Sequence, residues 1–268
     1  MQVTECYAEC WPRFRGPTVH YELKLLVSFF DHCTRRRLAF DIAHQGIHTT
    51  DLQLAKITER SNTLRNRITS WYKMQELYMP EAAILREKDN AVSEAVVPVH
   101  HLPLYLPSSL VHRAPCNTKI ADFEFRLRFA QANDALDHLR HHIRLRSHLW
   151  TFKTRFERGQ RPNTRARNVI ERATQNINAA ATKYCDAQKA LANLSPILGK
   201  VGWEACLRDL EAKDIRAMTE DERDMDPVAR RRVERQSEGR RMISWIWTTP
   251  GVSTDENDSL HDSEYGRR

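Results

Sequence analysis

The sequence predicts an all-α protein organised around a long antiparallel, coiled-coil-like helical hairpin, with additional helices and an extended proline-rich linker. Three observations support this prediction. Residues 118–194 carry apolar side chains at alternating steps of three and four, the period expected for one helix packed on another. A short basic turn at residues 158–163 divides this pattern into two helices that must be antiparallel neighbours. The chain has only 8 glycines among its 268 residues, which fits a mostly helical protein.

Two helical regions precede the proline-rich linker. Residues 1–50 form a divergent N-terminal segment with one predicted helix, over residues 19–43. Residues 51–89 form an amphipathic helix region, in which Asp51 can cap the main helix and Pro80 should end or kink it. The apolar pattern of this helix comprises Ile57, Leu64, Ile68, Trp71 and Tyr78, and Ser61 and Gln75 fill the remaining positions of the same predicted face.

Residues 90–116 are predicted to form the extended linker. Four prolines punctuate this stretch, and each removes a backbone hydrogen-bond donor and disfavours helix at the residue before it. The prolines alternate with apolar residues, so we expect the linker to lie against the surface of a helix. They are Pro98, Pro103, Pro107 and Pro115.

The hairpin itself occupies residues 117–194, with one helix predicted over 118–157 and a second over 164–194. Gly159 can end the first helix, and Asn163 can cap the second. The first apolar stripe comprises Phe125, Phe129, Ala132, Leu136, Leu139 and Ile143, and then Leu145, Leu149, Phe152 and Phe156. The second comprises Ile170, Ala173, Ile177, Ala180, Tyr184, Ala187, Leu191 and Leu194.

Residues 195–250 follow the hairpin and are predicted to contain a short helix, a charged loop and a tryptophan-rich patch. Residues 195–202 favour a turn, and residues 203–210 favour the short helix. The patch, Trp245–Trp247, is apolar and must either dock on another surface or promote self-association. Residues 251–268 are rich in small polar and acidic residues and are predicted to be a disordered tail.

No catalytic residue is predicted. The sequence contains neither a glycine-rich phosphate loop nor a motif for a serine or cysteine nucleophile. A two-metal nuclease needs several carboxylates brought together, usually by the strands of a sheet, and no such strands are predicted. We interpret the acidic residues of the first hairpin helix as solvated charges; they include Asp122, Glu124, Asp134 and Asp137.

No metal site and no cofactor are predicted either. His138 and His142 share a helix face and could chelate zinc, but the spacing offers no third ligand, so we interpret them as ordinary exposed or interfacial residues. A second histidine- and cysteine-containing group matches no common zinc finger; it consists of Cys6, Cys10, His32 and Cys33.

Localisation and membrane contact follow from the cysteines and the hydropathy pattern. We interpret the scattered cysteines as reduced thiols of an intracellular protein. The first residues show no signal-peptide pattern, and the most apolar run, residues 23–30, is too short to cross a bilayer. We therefore expect no membrane partner.

The basic turn of the hairpin is the best candidate for a binding site. The chain has 42 basic and 35 acidic side chains, and residues 153–172 alone hold seven basic against two acidic ones, a local charge of +5. Arginine is well suited to bind phosphate, although a solvated turn that only aids solubility is an open alternative. The candidate DNA contacts are Lys153, Arg155, Arg158, Arg161, Arg165 and Arg167, and the cluster is extended by Arg140, Arg144 and Arg146.

A series of short motifs also occurs in a fixed order between about residues 57 and 260. The motifs are Trp71 with Gln75, Leu77–Pro80, Leu104–Leu110, Glu124–Arg128, Ala130–Ala132, Asp134–Leu136, Arg158–Gln160, Asn163–Arg165 and Trp245–Trp247. In this order they resemble the C-terminal helical region of KDZ (Kyakuja-Dileera-Zisupton) transposases, which are abundant in fungal genomes.

That resemblance implies a DDE-type transposase whose RNase H-like catalytic core and cysteine-rich zinc modules are not visible in this sequence. We therefore expect a non-catalytic, nuclear helical fragment that contributes to DNA binding or transposase assembly. Its expected partners are DNA, a second copy of itself or the missing transposase core. The alternative is a structural or scaffold coiled-coil protein with no nucleic-acid role, and an active nuclease is the least favoured hypothesis.

Overall fold

A computed structural model describes residues 34–43, 45, 50–92, 97–156, 159–217 and 243–249. These residues are helical or irregular and contain no β-strand, which confirms the all-α prediction. The chain divides into two compact units. The first unit contains the described residues up to Leu127 together with Ala192–Gly199, and the second contains Arg128–Leu191 and the described residues from Lys200 onward.

The described residues form six helices: α1 (residues 34–43), α2 (Asp51–Tyr78), α3 (Pro80–Val92), α4 (Pro107–Leu110), α5 (Thr118–Phe156) and α6 (Gln160–Leu198). Single 3-10 turns occupy Val99–His101, Trp203–Ala205, Ala212–Asp214 and Trp245–Trp247. The short helix predicted over residues 203–210 is therefore only one 3-10 turn. Of the helix predicted over 19–43, residues 34–43 are confirmed, and the remainder lies outside the described residues.

Thr50, and not Asp51, caps helix α2. The Thr50 hydroxyl accepts the Gln53 amide, and the Gln53 side chain accepts the Thr50 amide at 3.0 Å, which together form a capping box. Asp51 is the first helical residue, where its negative charge favours the helix N-terminus. Pro80 starts α3 directly after α2, in a position where its missing amide hydrogen has no cost, so the predicted break is confirmed.

The proline-rich linker is extended between its two helical turns, and side chains of α2 hold it in place. The Trp71 indole donates to the Leu104 carbonyl at 3.0 Å. The buried Gln75 amide nitrogen donates to the carbonyls of Leu104 and Tyr105, at 3.1 and 2.7 Å. The Tyr72 hydroxyl donates to the Pro103 carbonyl at 2.7 Å. These contacts satisfy carbonyls that a proline-rich backbone cannot pair with itself, and they confirm that the linker lies on a helix.

Glu124 is buried in this unit, so its interpretation as a solvated charge is wrong. Its carboxylate accepts the backbone amide and the hydroxyl of Ser108, at 2.8 and 2.7 Å. The Asn193 side chain donates to the Ser108 carbonyl at 3.1 Å. The buried carboxylate therefore supplies the acceptors for the first turn of α4, which has no side-chain cap of its own. The other acidic residues of α5 are partly or fully exposed: Asp122, Asp134 and Asp137.

The seam between α5 and α6 is confirmed along most of its length. Every predicted seam residue of α6, from Ile170 to Leu194, is buried. On α5 the predicted residues from Phe125 to Ile143 are buried as well. The two long helices thus pack closely as an antiparallel hairpin.

Helix α6 is longer at both ends than predicted. It begins at Gln160, which places Asn163 inside the first turn and not at the N-cap. It also continues through Pro196 to Leu198, although Pro196 cannot donate to the carbonyl of Ala192. The Ser195 hydroxyl donates to that carbonyl at 3.3 Å and replaces the lost hydrogen bond. The turn follows at Gly199, where φ is +61°.

The tryptophan-rich patch docks inside the second unit, which confirms that it packs on another surface. Its predicted exposure is therefore wrong, while self-association of the chain stays a prediction. Ile246 is fully buried, and its carbonyl accepts the Arg140 Nε at 2.6 Å. The Trp247 indole donates to the Arg216 carbonyl at 3.0 Å. The Trp245 ring lies 6.0 Å from the Tyr184 ring, measured between centroids. The patch is therefore part of the fold.

Candidate nucleic-acid interface

The hairpin tip, defined as residues 145–156 of α5 together with Gly159 and residues 160–169 of α6, buries much less of its surface than the rest of the hairpin. Beyond Ile143 on α5 and before Ile170 on α6, no described side chain is buried. Helical turns that bury little apolar surface contribute little to the core and are available for contacts with other molecules. The tip lies entirely within the second unit.

The apolar stripe predicted for the tip is exposed, which corrects that part of the seam. Phe152 is 53% exposed and Phe156 is 68% exposed. Leu145 is also exposed, and Leu149 is half-buried. The reason is composition: residues 159–169 of the facing helix are mostly polar or basic, so they offer these side chains no apolar surface on which to pack.

Four basic side chains of the tip have no acidic partner among the described residues. Arg155, Arg165 and Arg167 are exposed, and Lys153 is half-buried. No carboxylate in the described part of the chain lies within ion-pair distance of any of these four. Elsewhere, exposed or half-buried arginines do have such partners, in the pairs Arg60–Asp41, Arg113–Asp89 and Arg126–Asp122.

Two of the six predicted contact residues cannot be placed as side chains. Arg158 lies outside the described residues, and Arg161 is described only as part of the α6 backbone.

The start of α6 provides fewer free backbone amides for binding a phosphate than a helix capped at Asn163 would provide. Pro162 has no amide hydrogen, and the Asn163 amide already donates to the Gly159 carbonyl at 3.3 Å. The positive charges, and not the helix start, therefore dominate the chemistry of the tip.

Arg140 and Arg144, which extend the basic cluster in the sequence, are occupied by the fold. The Arg140 guanidinium donates to Asp137 at 2.6 Å and also to the carbonyls of Ile246 and Thr249. The Arg144 guanidinium lies over the Trp247 ring, 5.2 Å from its centroid. Both side chains hold the tryptophan-rich patch in place, so they are not part of the candidate interface, which is limited to the tip.

Aromatic side chains accompany the charges at the end of α5. The Phe152 and Phe156 rings lie 5.1 Å apart between centroids, one helical turn from each other. The Lys153 ammonium lies 4.7 Å from the centroid of the Trp150 ring. The apolar spacing of α5 predicts both phenylalanines in the seam, and this prediction is wrong. The polar composition of the facing helix was the signal that they would be exposed.

The histidines of α5 form no metal site. The rings of His138 and His142 are 6.5 Å apart between centroids, and the described residues contain no group of three potential metal ligands. Partial burial lowers the pKa of His142, and the positive charge of neighbouring His141 and His138 lowers it further. The second predicted group, Cys6, Cys10, His32 and Cys33, lies outside the described residues.

Comparison with known proteins gives no relative on which to base a function. The chain has no significant match to a family model, a curated protein or a solved structure. No helix in the described ranges is long and apolar enough to cross a membrane.

Proposed function

We propose that this chain is a non-catalytic helical module of the KDZ-transposase type that binds DNA phosphates through its hairpin tip. The observation that carries the proposal is the set of exposed arginines Arg155, Arg165 and Arg167, which have no carboxylate partner in the described structure. An arginine without a partner is free to form bidentate hydrogen bonds with a phosphate. Several such residues at one end of a hairpin provide a concentrated positive field.

The transposase part of the proposal rests on the ordered series of motifs, three of which are joined by hydrogen bonds in the first unit. Two of the motifs that carry the family resemblance, Trp71 with Gln75 and Leu104–Leu110, contact each other through the linker carbonyls. Glu124, which begins a third motif, contacts Ser108 of the second. These three motifs are thus parts of one packed arrangement, which is compatible with their forming a structural signature.

The tip does not resemble in sequence a helix that recognises a particular base sequence. Arginine and lysine can contact guanine in the major groove as well as phosphate. Without a recognition helix to present them to base edges, we expect the arginines and the lysine of the tip to contact phosphate. We therefore expect duplex binding that varies little with DNA sequence and weakens steeply as the salt concentration rises.

The test is a salt titration of binding between the full chain and a fluorescently labelled duplex, measured by anisotropy. A triple variant, Arg155→Gln with Arg165→Gln and Arg167→Gln, removes three positive charges from exposed positions. We expect weaker binding and a salt slope that flattens by up to about 0.9 for each lost phosphate contact.

A matched control removes three exposed positive charges from helix α2: Lys56→Gln, Arg65→Gln and Lys73→Gln. This control variant should bind with the same salt slope as the wild type. An equal loss in both variants would mean that only the total charge matters, and no loss in the tip variant would leave the scaffold alternative as the better account. Magnesium-dependent strand cleavage by the wild type would instead point to a nuclease.

A further inference from the structure

We infer that the hairpin tip binds single-stranded DNA in preference to duplex, with unpaired bases stacking on the rings of Phe152 and Phe156. This inference rests on the proposed function and specifies its ligand. The central observation is that two aromatic rings, 53% and 68% exposed, lie 5.1 Å apart among basic side chains without acidic partners in the described structure.

Exposed phenylalanines are unusual on a helix that has a partner. A phenylalanine gains free energy when its ring leaves water, and the seam of this hairpin buries Phe125 and Phe129 in that way. Phe152 and Phe156 follow the same helix but meet no apolar surface on the facing one. Two rings one turn apart form an apolar surface that a flat partner can cover.

The charge around the rings favours a nucleic acid as that partner over a protein surface. Lys153 and Arg155 lie between the two phenylalanines in the sequence of α5, and Arg165 and Arg167 follow on the first turns of α6. Proteins that bind single strands combine such positive side chains, which contact the backbone, with aromatic rings on which the bases stack. In a duplex the bases are stacked on each other, so no base face is available to stack on the rings.

Trp150 does not belong to this stacking surface. The Lys153 ammonium lies over its ring, 4.7 Å from the centroid, so one face of the indole is already covered by a cation. The phenylalanine pair has no such cover in the described structure. The two rings, and not the larger indole, should therefore determine the preference for single strands.

The experiment compares binding of the full chain to labelled oligothymidine and to a duplex of equal length. The variant Phe152→Leu with Phe156→Leu keeps apolar, helix-favouring side chains but removes both aromatic faces. We expect its affinity for oligothymidine to fall at least about tenfold while its affinity for the duplex stays within about twofold. Replacing both residues with tyrosine keeps the aromatic faces and should preserve the binding of oligothymidine.

The outcomes separate this inference from the proposed function. Unchanged single-strand affinity in the leucine variant overturns the stacking inference, and if the arginine variant still loses duplex binding, the proposed function stands. Wild-type chain that binds neither ligand overturns both. A second copy of the chain is the other partner that could cover the two rings, and sedimentation of wild type and the leucine variant tests it. Self-association of the wild type alone would mean that the rings bind a second copy and would overturn the stacking inference.

Discussion

The Glu124 carboxylate accepts two hydrogen bonds from Ser108, at 2.8 Å from its backbone amide and 2.7 Å from its hydroxyl. We expect Glu124→Ala to lower the free energy of unfolding by roughly 3 kcal/mol, because both buried donors would lose a charged acceptor. Urea denaturation followed by circular dichroism measures this change. Asp134→Ala removes an exposed carboxylate from the same helix and should change stability by no more than about 0.5 kcal/mol. Equal effects of the two substitutions would show that the Ser108 contact adds little.

Ile177 lies in the middle of the hairpin seam and is 1% exposed. Ile177→Asp places an unpaired charge there and should cost about 4 kcal/mol or more, with a visible loss of helicity. Ala179→Asp introduces the same charge two residues later, at an exposed position, and should leave the melting temperature almost unchanged. Thermal melts recorded by circular dichroism would contradict the seam if both variants melted alike.

Asp89 makes the stability of the first unit depend on pH in the acid range. Hydrogen bonds from Arg113 and from the Tyr105 hydroxyl hold the pKa of this carboxyl below its ordinary value of 3.8. A lowered pKa in the folded state means that the contribution to stability is present above pH 3.8 and is lost as the pH falls through the folded-state pKa. We expect Asp89→Asn to be less stable than wild type at neutral pH and the two to converge in acid. The measurement is the free energy of unfolding of both proteins down to about pH 2, roughly two units below the ordinary pKa. A difference between the two proteins that stays constant over this range would rule out the contribution.

The hairpin could be predicted from the sequence because its signal is local. The apolar series that contain Leu136 and Ile177 repeat at helical spacing over many turns. A pattern of that length fits a pair of packed helices and little else. Its ends were harder to predict. Asn163 and Pro196 are typical of a helix start and a helix end, yet α6 extends beyond both, because Gly159 accepts the first amide and Ser195 compensates for the proline.

Burial at particular positions could not be predicted, because it depends on partners that are distant in the sequence. Glu124 resembles any other acidic residue of its helix until Ser108, 16 residues earlier, is placed beside it. Phe152 and Phe156 continue the apolar spacing of α5, but the facing residues of α6 determine their exposure. For the candidate site, the sequence therefore showed which residues are basic but not that Phe152 and Phe156 are exposed.

The hydrogen bond between Arg140 and the Ile246 carbonyl spans 106 residues of chain. Contacts at such separation form slowly, because the intervening chain loses much of its conformational freedom when they close. The seam between α5 and α6 needs far shorter loops, so we expect it to form first and the Trp245–Trp247 turn to dock afterwards. During synthesis the hairpin would emerge from the ribosome with the Tyr184 region still uncovered. The chain is therefore expected to be most vulnerable to misassociation and to proteases in the interval before the Trp245–Trp247 turn docks.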